Sequence, residues 1–178
     1  MYVPCSMFRR TPLERADQHL AWDRDDQWFF AAGACHILAY AFLDAHPNEF
    51  AAMGLWPKDA ADPGHVYASN GTWAFDHCGW TLETELLEVS RTAEPNADHQ
   101  RRRIDMDLDE FCARHWHRTR AEFAHDPWRR AYDYIARFAD PLEAQTSGIT
   151  HQGSIAVPHH DDNIRTGQCR HAASATGN

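Results

Sequence analysis

The sequence predicts an α+β domain, on three observations. A nearly continuous apolar stretch runs from Trp28 to Leu43, broken only by His36, and its centre reads as a buried helix from Gly33 to about Ala45. Two short β-prone runs flank Asn70-Gly71 in HVYASNGTWAFD, the pattern of a hairpin with a two-residue turn. From Asp105 to about Ala139, Leu108, Phe111, Cys112, His115, Phe123, Trp128, Tyr132, Ile135 and Phe138 recur at helical spacing, which suggests two helices hinged near Asp126-Pro127.

The remaining elements fit around these. Thr11-Pro12 is a helix N-cap followed by a proline at the first helical position, and Leu13, Ala16, Leu20 and Ala21 continue the spacing. Pro47 ends the buried helix, because proline disfavours helical geometry in the residue before it. Residues 47–64 hold three prolines and two glycines and read as a long connection. After Gly79 the pattern is helical again through Leu82, Leu86, Leu87 and Val89, with Pro95 as a break. Residues 1–145 form the expected single domain. Residues 146–178 are polar and aperiodic and read as a mobile C-terminal tail.

Composition narrows the function classes. With 43% hydrophobic and 24% charged residues over 178 positions, the chain can build an ordinary core without staples. Seventeen Lys and Arg against twenty-six Asp and Glu give a formal charge of −9, a poor basis for neutralising phosphates, so no nucleic-acid partner is expected. The basic triplet Arg101-Arg102-Arg103 runs straight into Asp105, Asp107, Asp109 and Glu110 and reads as a solvated helix face. The longest apolar run is shorter than the ~20 residues a bilayer span needs, so no membrane partner is expected. MYVPCSMFRR lacks an apolar signal core, which points to the cytoplasm or to secretion by a signal-independent route. Five cysteines, at 5, 35, 78, 112 and 169, include no CxxC pair; that opposes a disulfide scaffold and leaves room for a reactive thiol.

Cys35 is the first candidate. Gly33 and Ala34 precede it and an apolar helix follows, so its thiol would face free backbone N–H groups and the positive end of the helix dipole, both of which favour the thiolate. With Asn70-Gly71 as the turn, the cross-strand partners are Ser69 with Thr72, Ala68 with Trp73, Tyr67 with Ala74, Val66 with Phe75, and His65 with Asp76. An imidazole directly opposite a carboxylate lies within hydrogen-bond reach, which orients the ring and stabilises its charged form. Val66, Ala68, Trp73 and Phe75 fall on the other face as an apolar set, separating a packing face from a chemical one.

A nucleophile at a helix start, then a base, then an orienting acid on a hairpin is the order Cys35, His65, Asp76. In GACHILAYAFL and GHVYASNGTWAFDHCG the chain resembles the papain-like and transglutaminase-like cysteine enzymes, most of all the compact papain-fold toxin and effector domains of bacteria. The resemblance covers residues 33–80. It implies a central helix bearing Cys35 on a small antiparallel sheet, with extra C-terminal helices. It implies Cys35 as nucleophile, His65 as general base and then acid, and Asp76 as orienter, acting without a cofactor on an amide of a protein or peptide through a thioester. Peptide cleavage, glutamine deamidation and transglutamination all remain open, and an effector of this kind would have an inhibitory partner protein. Gln27, eight residues before Cys35, is an oxyanion candidate, and the Cys35 backbone N–H a second. Trp56 and Trp80 are candidates for the substrate cleft, with Phe50, Met53 and Leu55 beside Trp56.

Two other readings compete. One is a non-catalytic interaction domain of the same fold. The other is a small metal-binding protein using Cys35, His36, His65, Asp76, His77 and Cys78. Alternation along a strand sends Asp76 and His77 to opposite faces, however, so no metal ligands are assigned. Cys112, His115 and His117 are explained by core and solvent positions.

Overall fold

In the computed structural model, which describes residues 1–141, each segment expected to be helical contains helix, and its starts and stops are set locally; the first segment is broken in two at Asp17, and Leu82 belongs to a strand. Helix α1 (Pro12–Ala16) begins in a capping box: Thr11 Oγ1 accepts from the Glu14 N–H, and the Glu14 carboxylate accepts from the Thr11 N–H at 2.8 Å. Asp17 caps α2 (Gln18–Trp22), and Asp25 caps α3 (Asp26–Ala31). Helix α4 (Cys35–Ala45) is apolar on every side and accordingly buried, with Ile37, Leu38, Ala41 and Phe42 removed from solvent. It lies against the middle of a five-stranded antiparallel sheet made of β1 (Ala51–Trp56), β2 (His65–Ser69), β3 (Trp73–Asp76), β4 (Gly79–Leu82) and β5 (Gln100–Arg103), in the order β4-β3-β2-β1-β5. Helix α5 (Glu83–Ala93) and the N-terminal residues cover the opposite face, while α6 (Leu108–Arg114) and α7 (Pro127–Ile135) pack on α4 as an outer layer.

The sequence missed three of the five strands. β1 lies inside the stretch read as a connection. Its AAMGLW lacks period-two alternation because both faces are covered, and Gly54 is required there: a Cβ on it would sit 2.4 Å from the Trp56 ring. β5 carries the arginine triplet. These residues are solvated as expected, but as an exposed edge strand and not a helix face, and their charges discourage further pairing. β4 is the short strand that follows the turn at Gly79, where φ is +75°.

The hairpin register also differs. Ser69 pairs with Ala74 and Ala68 with Phe75, which makes Gly71-Thr72 the two-residue loop. Asn70 belongs to the closing pair, and its Oδ1 accepts from the N–H groups of Thr72 and Trp73. Gly71 alone has a positive φ, +91°, so glycine occupies the first loop position in the manner of a type II′ turn, whereas a type I′ turn needs positive φ at both. The slip is by two residues and preserves which residues share a face. Asp76 therefore lies diagonal to His65 and directly across from Tyr67.

Near Trp116, where φ is +52°, the chain leaves helical geometry, so α6 is much shorter than the 105–126 segment suggested. At the far end of α4, Phe42 stacks on Phe75 with centroids 4.4 Å apart, and Trp80 meets it edge-on, contacts of ~0.5–1.5 kcal/mol each beyond their burial. Among the described residues no helix is long and apolar enough to cross a membrane. The predicted tail, 146–178, lies outside the described residues.

Candidate active site

Cys35 is the first residue of α4, and the Ala34 N-cap offers its N–H groups no side-chain acceptor. The preceding turn depends on Gly33, whose φ of +122° disfavours any side chain. The Arg10 guanidinium lies against the same glycine, with Cζ 3.2 Å from where a Cβ would stand. Cys35 is buried, at 8% exposure.

His65 heads β2 and Asp76 ends β3, so both stand at one end of the sheet, and His65 Nε2 lies 2.8 Å from Asp76 Oδ2. The carboxylate is buried and fully engaged. Its Oδ2 also accepts from the Tyr2 hydroxyl at 2.9 Å and faces His77 Nδ1 at 3.2 Å, while Oδ1 accepts from the Cys78 N–H at 2.8 Å. Burial alone would raise the Asp76 carboxyl; the charge of His77 and the hydrogen bonds from His65 and His77 hold it far below the usual carboxylate range.

With Nε2 committed to Asp76, the ring nitrogen of His65 left for chemistry is Nδ1. It is buried and outside ideal hydrogen-bond geometry with any partner, yet the thiols of Cys5 and Cys35 are close enough to set the ring's charge. Burial works to lower His65, but Cys5, the Asp76 hydrogen bond and Cys35 raise it well above the ordinary imidazole value. For Cys35 the balance is the mirror image. Burial pushes the thiol up, and hydrogen bonding to His36 and then His65, with their charge, brings it well below the ordinary thiol value. The favoured state is thus a thiolate beside an imidazolium.

The second imidazole is His36, the one break in the apolar run of the sequence. It is fully buried, and it also reaches Cys35. Its Nε2 donates to the Arg118 carbonyl at 2.8 Å. Gln27 lies on α3, where its amide donates to Cys78 Sγ at 3.7 Å. Trp56 joins Cys35, Ala39 and Val66 in one apolar cluster, whereas Trp80 packs with Phe42, Phe50 and Phe75 at the opposite end of α4. Met53 faces α5, and Leu55 lines a cavity beside His65.

One inference from alternation fails. β3 ends at Asp76, so His77 turns back and its imidazole meets the Asp76 carboxylate after all. The ligand atoms of His65, Asp76 and His77 lie within 4.8 Å of one another, all three buried. His77 Nε2 donates to the Val3 carbonyl at 2.9 Å, and its charge is held by Asp76: burial lowers it, but the carboxylate pushes it up to about 10. Gly79, placed to close a turn after Asp76, is the signal in the sequence for this reversal. For Tyr2, Cys5 and Arg10 there is no comparable signal, because each reaches the site from an N-terminal segment distant in sequence.

Compared with protein-family models, with curated proteins and with solved structures, the chain matches none.

Proposed function

We propose that this protein is a cysteine-dependent amide hydrolase or acyltransferase of papain-like or transglutaminase-like type, acting on a protein or peptide. The supporting observation is that His65, fixed through Nε2 by a buried carboxylate, keeps Nδ1 uncommitted and interacts electrostatically with the Cys35 thiol at the start of α4. The Cys35 thiolate attacks the amide carbonyl: a C–S bond forms and the carbonyl π pair moves to oxygen. The Cys35 backbone N–H stabilises that oxyanion. The His65 imidazolium gives its proton to the departing amine as the C–N bond breaks, leaving a thioester. Water or an acceptor amine then attacks the thioester while His65 takes back a proton, and the thiolate leaves. Asp76 keeps the ring oriented and its charge supported throughout. Peptidase, deamidase and transglutaminase differ only in which amide enters and which nucleophile resolves the thioester. As an effector, the protein would be silenced by an inhibitory partner.

The test is the pH dependence of alkylation at every cysteine, read by peptide mass spectrometry, in wild type and His65→Ala. Selective labelling of Cys35 well below the ordinary thiol value of about 8.5, lost in the variant, is expected. Slow labelling with an ordinary midpoint in both proteins overturns the reading.

The clustering of His65, Asp76 and His77 supports a second reading as a metal site. His65 Nε2 and Asp76 Oδ2 are already hydrogen-bonded to each other, so occupancy through those atoms requires the pair to open. Zinc retained through dialysis, and lost in His77→Gln, would favour this reading over the triad.

A further inference from the structure

A cavity of about 340 Å³ opens beside His65, between the N-terminal segment, the end of α3 and the last turn of α5. Among the described residues, six side chains hold a buried polar atom with no hydrogen-bond partner, and four of the six line this one cavity: Arg10, His65, Ser90 and His99. These atoms find no partner within the described protein, and a buried polar group left unpaired costs folding free energy. Their gathering around a single space marks a site that a polar ligand completes.

The charge of that ligand follows from the lining. Arg9 and Arg15 also face the cavity. The acid that lines it, Glu94, is already shared between Arg9 at 3.4 Å and His99 at 3.6 Å. Arg10 is 8% exposed and forms no ion pair among the described residues. Its Nη1 donates to Gln18 Oε1 at 3.2 Å, while Nε and Nη2 have no acceptor. Glu14 acts on it from nearby, but that carboxylate is engaged by Thr11 and Arg24. Burial, and then Arg118, push Arg10 down to about 10, which still leaves it cationic at neutral pH. A buried guanidinium with two unused donors is suited to a planar carboxylate.

We propose that this cavity is a carboxylate subsite, in which Arg10 and Ser90 donate to a carboxylate of the substrate while the neighbouring amide is presented to Cys35. This rests on Cys35 being the nucleophile. It narrows the substrate class to peptides with an acidic group beside the reacting amide, either a chain-terminal carboxylate or an Asp or Glu side chain. The volume suits one or two residues.

The first readout is the rate of Cys35 alkylation by iodoacetate relative to iodoacetamide, in each case with sulfur displacing iodide as the C–S bond forms. A ratio at least tenfold above that of a small free thiol is expected, falling toward the free-thiol value in Arg10→Gln. Ser90→Ala removes a hydroxyl that has no partner among the described residues, and it decides the matter should the arginine variant fail to fold; a severalfold drop in the ratio is expected. Calorimetric titration of the Cys35→Ala protein with short peptides reads binding without thiol chemistry, so the subsite and the nucleophile fail separately. A free-acid peptide binding at least tenfold tighter than its C-terminal amide identifies a terminal carboxylate. A Glu peptide binding tighter than its Gln counterpart, both amidated, identifies a side chain. Peptide acids that bind no better than amides, with an alkylation ratio like that of the free thiol, would mean that the cavity holds water only and would overturn the proposal.

Discussion

Cys35 and Cys112 are both buried cysteines, on the contacting helices α4 and α6, and their surroundings push them in opposite directions. Cys112 stands in the middle of α6 at 2% exposure and donates its S–H to the Arg118 carbonyl at 3.3 Å. Burial, with Asp109 and Glu122 nearby, pushes its thiol up to about 11. Cys35 is nearly as buried, yet its thiol is held well below the ordinary value. Burial penalises the thiolate in both cases, so burial does not separate them. The difference is what each sulfur meets: a carbonyl and distant acids at Cys112, two imidazoles and a helix start at Cys35. A buried thiol becomes reactive only where its charged form is given partners.

The largest effect should come from the sulfur itself. Cys35→Ser is expected to lower turnover on any amide substrate by at least ~10³-fold, because a hydroxyl at the same place is not ionised by these partners. Cys112→Ser should leave turnover at the wild-type level. Equal activity of wild type and Cys35→Ser, measured on one substrate, would place the chemistry elsewhere. The test includes Cys5, the other thiol beside His65.

Next comes the carboxylate that supports the imidazoles. Asp76→Ala leaves the His77 imidazolium buried without its counter-ion and strips Tyr2, His65 and the Cys78 N–H of their acceptor. A loss of ~3–5 kcal/mol in urea denaturation is expected, as for other buried pairs broken from one side. A change below ~1 kcal/mol would mean that Asp76 does not anchor the site.

These two residues also show how far the sequence could be read. Residue spacing was enough for Cys35 at a helix start and for His65 and Asp76 on one face of a hairpin, because helix and strand periodicities are local. The register was wrong by two, and the conclusion survived only because a slip of two preserves the face. Residues 51–56 and 100–103 were missed as strands for a different reason. A strand covered on both faces loses alternation, and an edge strand of arginines carries no apolar signal at all. Least legible was the N-terminal segment. That Tyr2 donates to Asp76, or that Arg10 lies on Gly33, depends on contacts across 74 and 23 positions of chain that no local pattern encodes.

His36 sharpens the comparison at a smaller scale. Its hydrogen bond is foremost among the influences that lower the Cys35 thiol, ahead of His65. His36→Gln should therefore shift the pH midpoint of Cys35 alkylation upward at least as far as His65→Ala does. The two variants should then part company in turnover, since only His65 is held by a carboxylate in the role of proton carrier. A His36→Gln midpoint identical to wild type would assign the low thiol value to His65 alone.

The smallest effect expected is in stability against pH, and here the two cysteines should bend the curve in opposite directions. A thiol whose folded value is depressed contributes stability that is present above its unfolded value and lost as pH falls, which is the case of Cys35. A thiol whose folded value is raised contributes stability that is full below its unfolded value of about 8.5 and lost as pH rises toward the folded one, which for Cys112 is about 11. His77, raised to about 10, slopes the same way as Cys112, from about 6.5 upward. It is common to every variant and cancels in a difference. Relative to wild type, Cys112→Ala should therefore lose less stability between pH 8.5 and 10.5, and the deficit of Cys35→Ala should grow as pH rises and be largest from pH 8.5 upward. Urea midpoints at pH 6, 8.5 and 10.5 measure both. Difference curves that run parallel for the two variants would mean that the imidazoles beside Cys35 do not hold its charge.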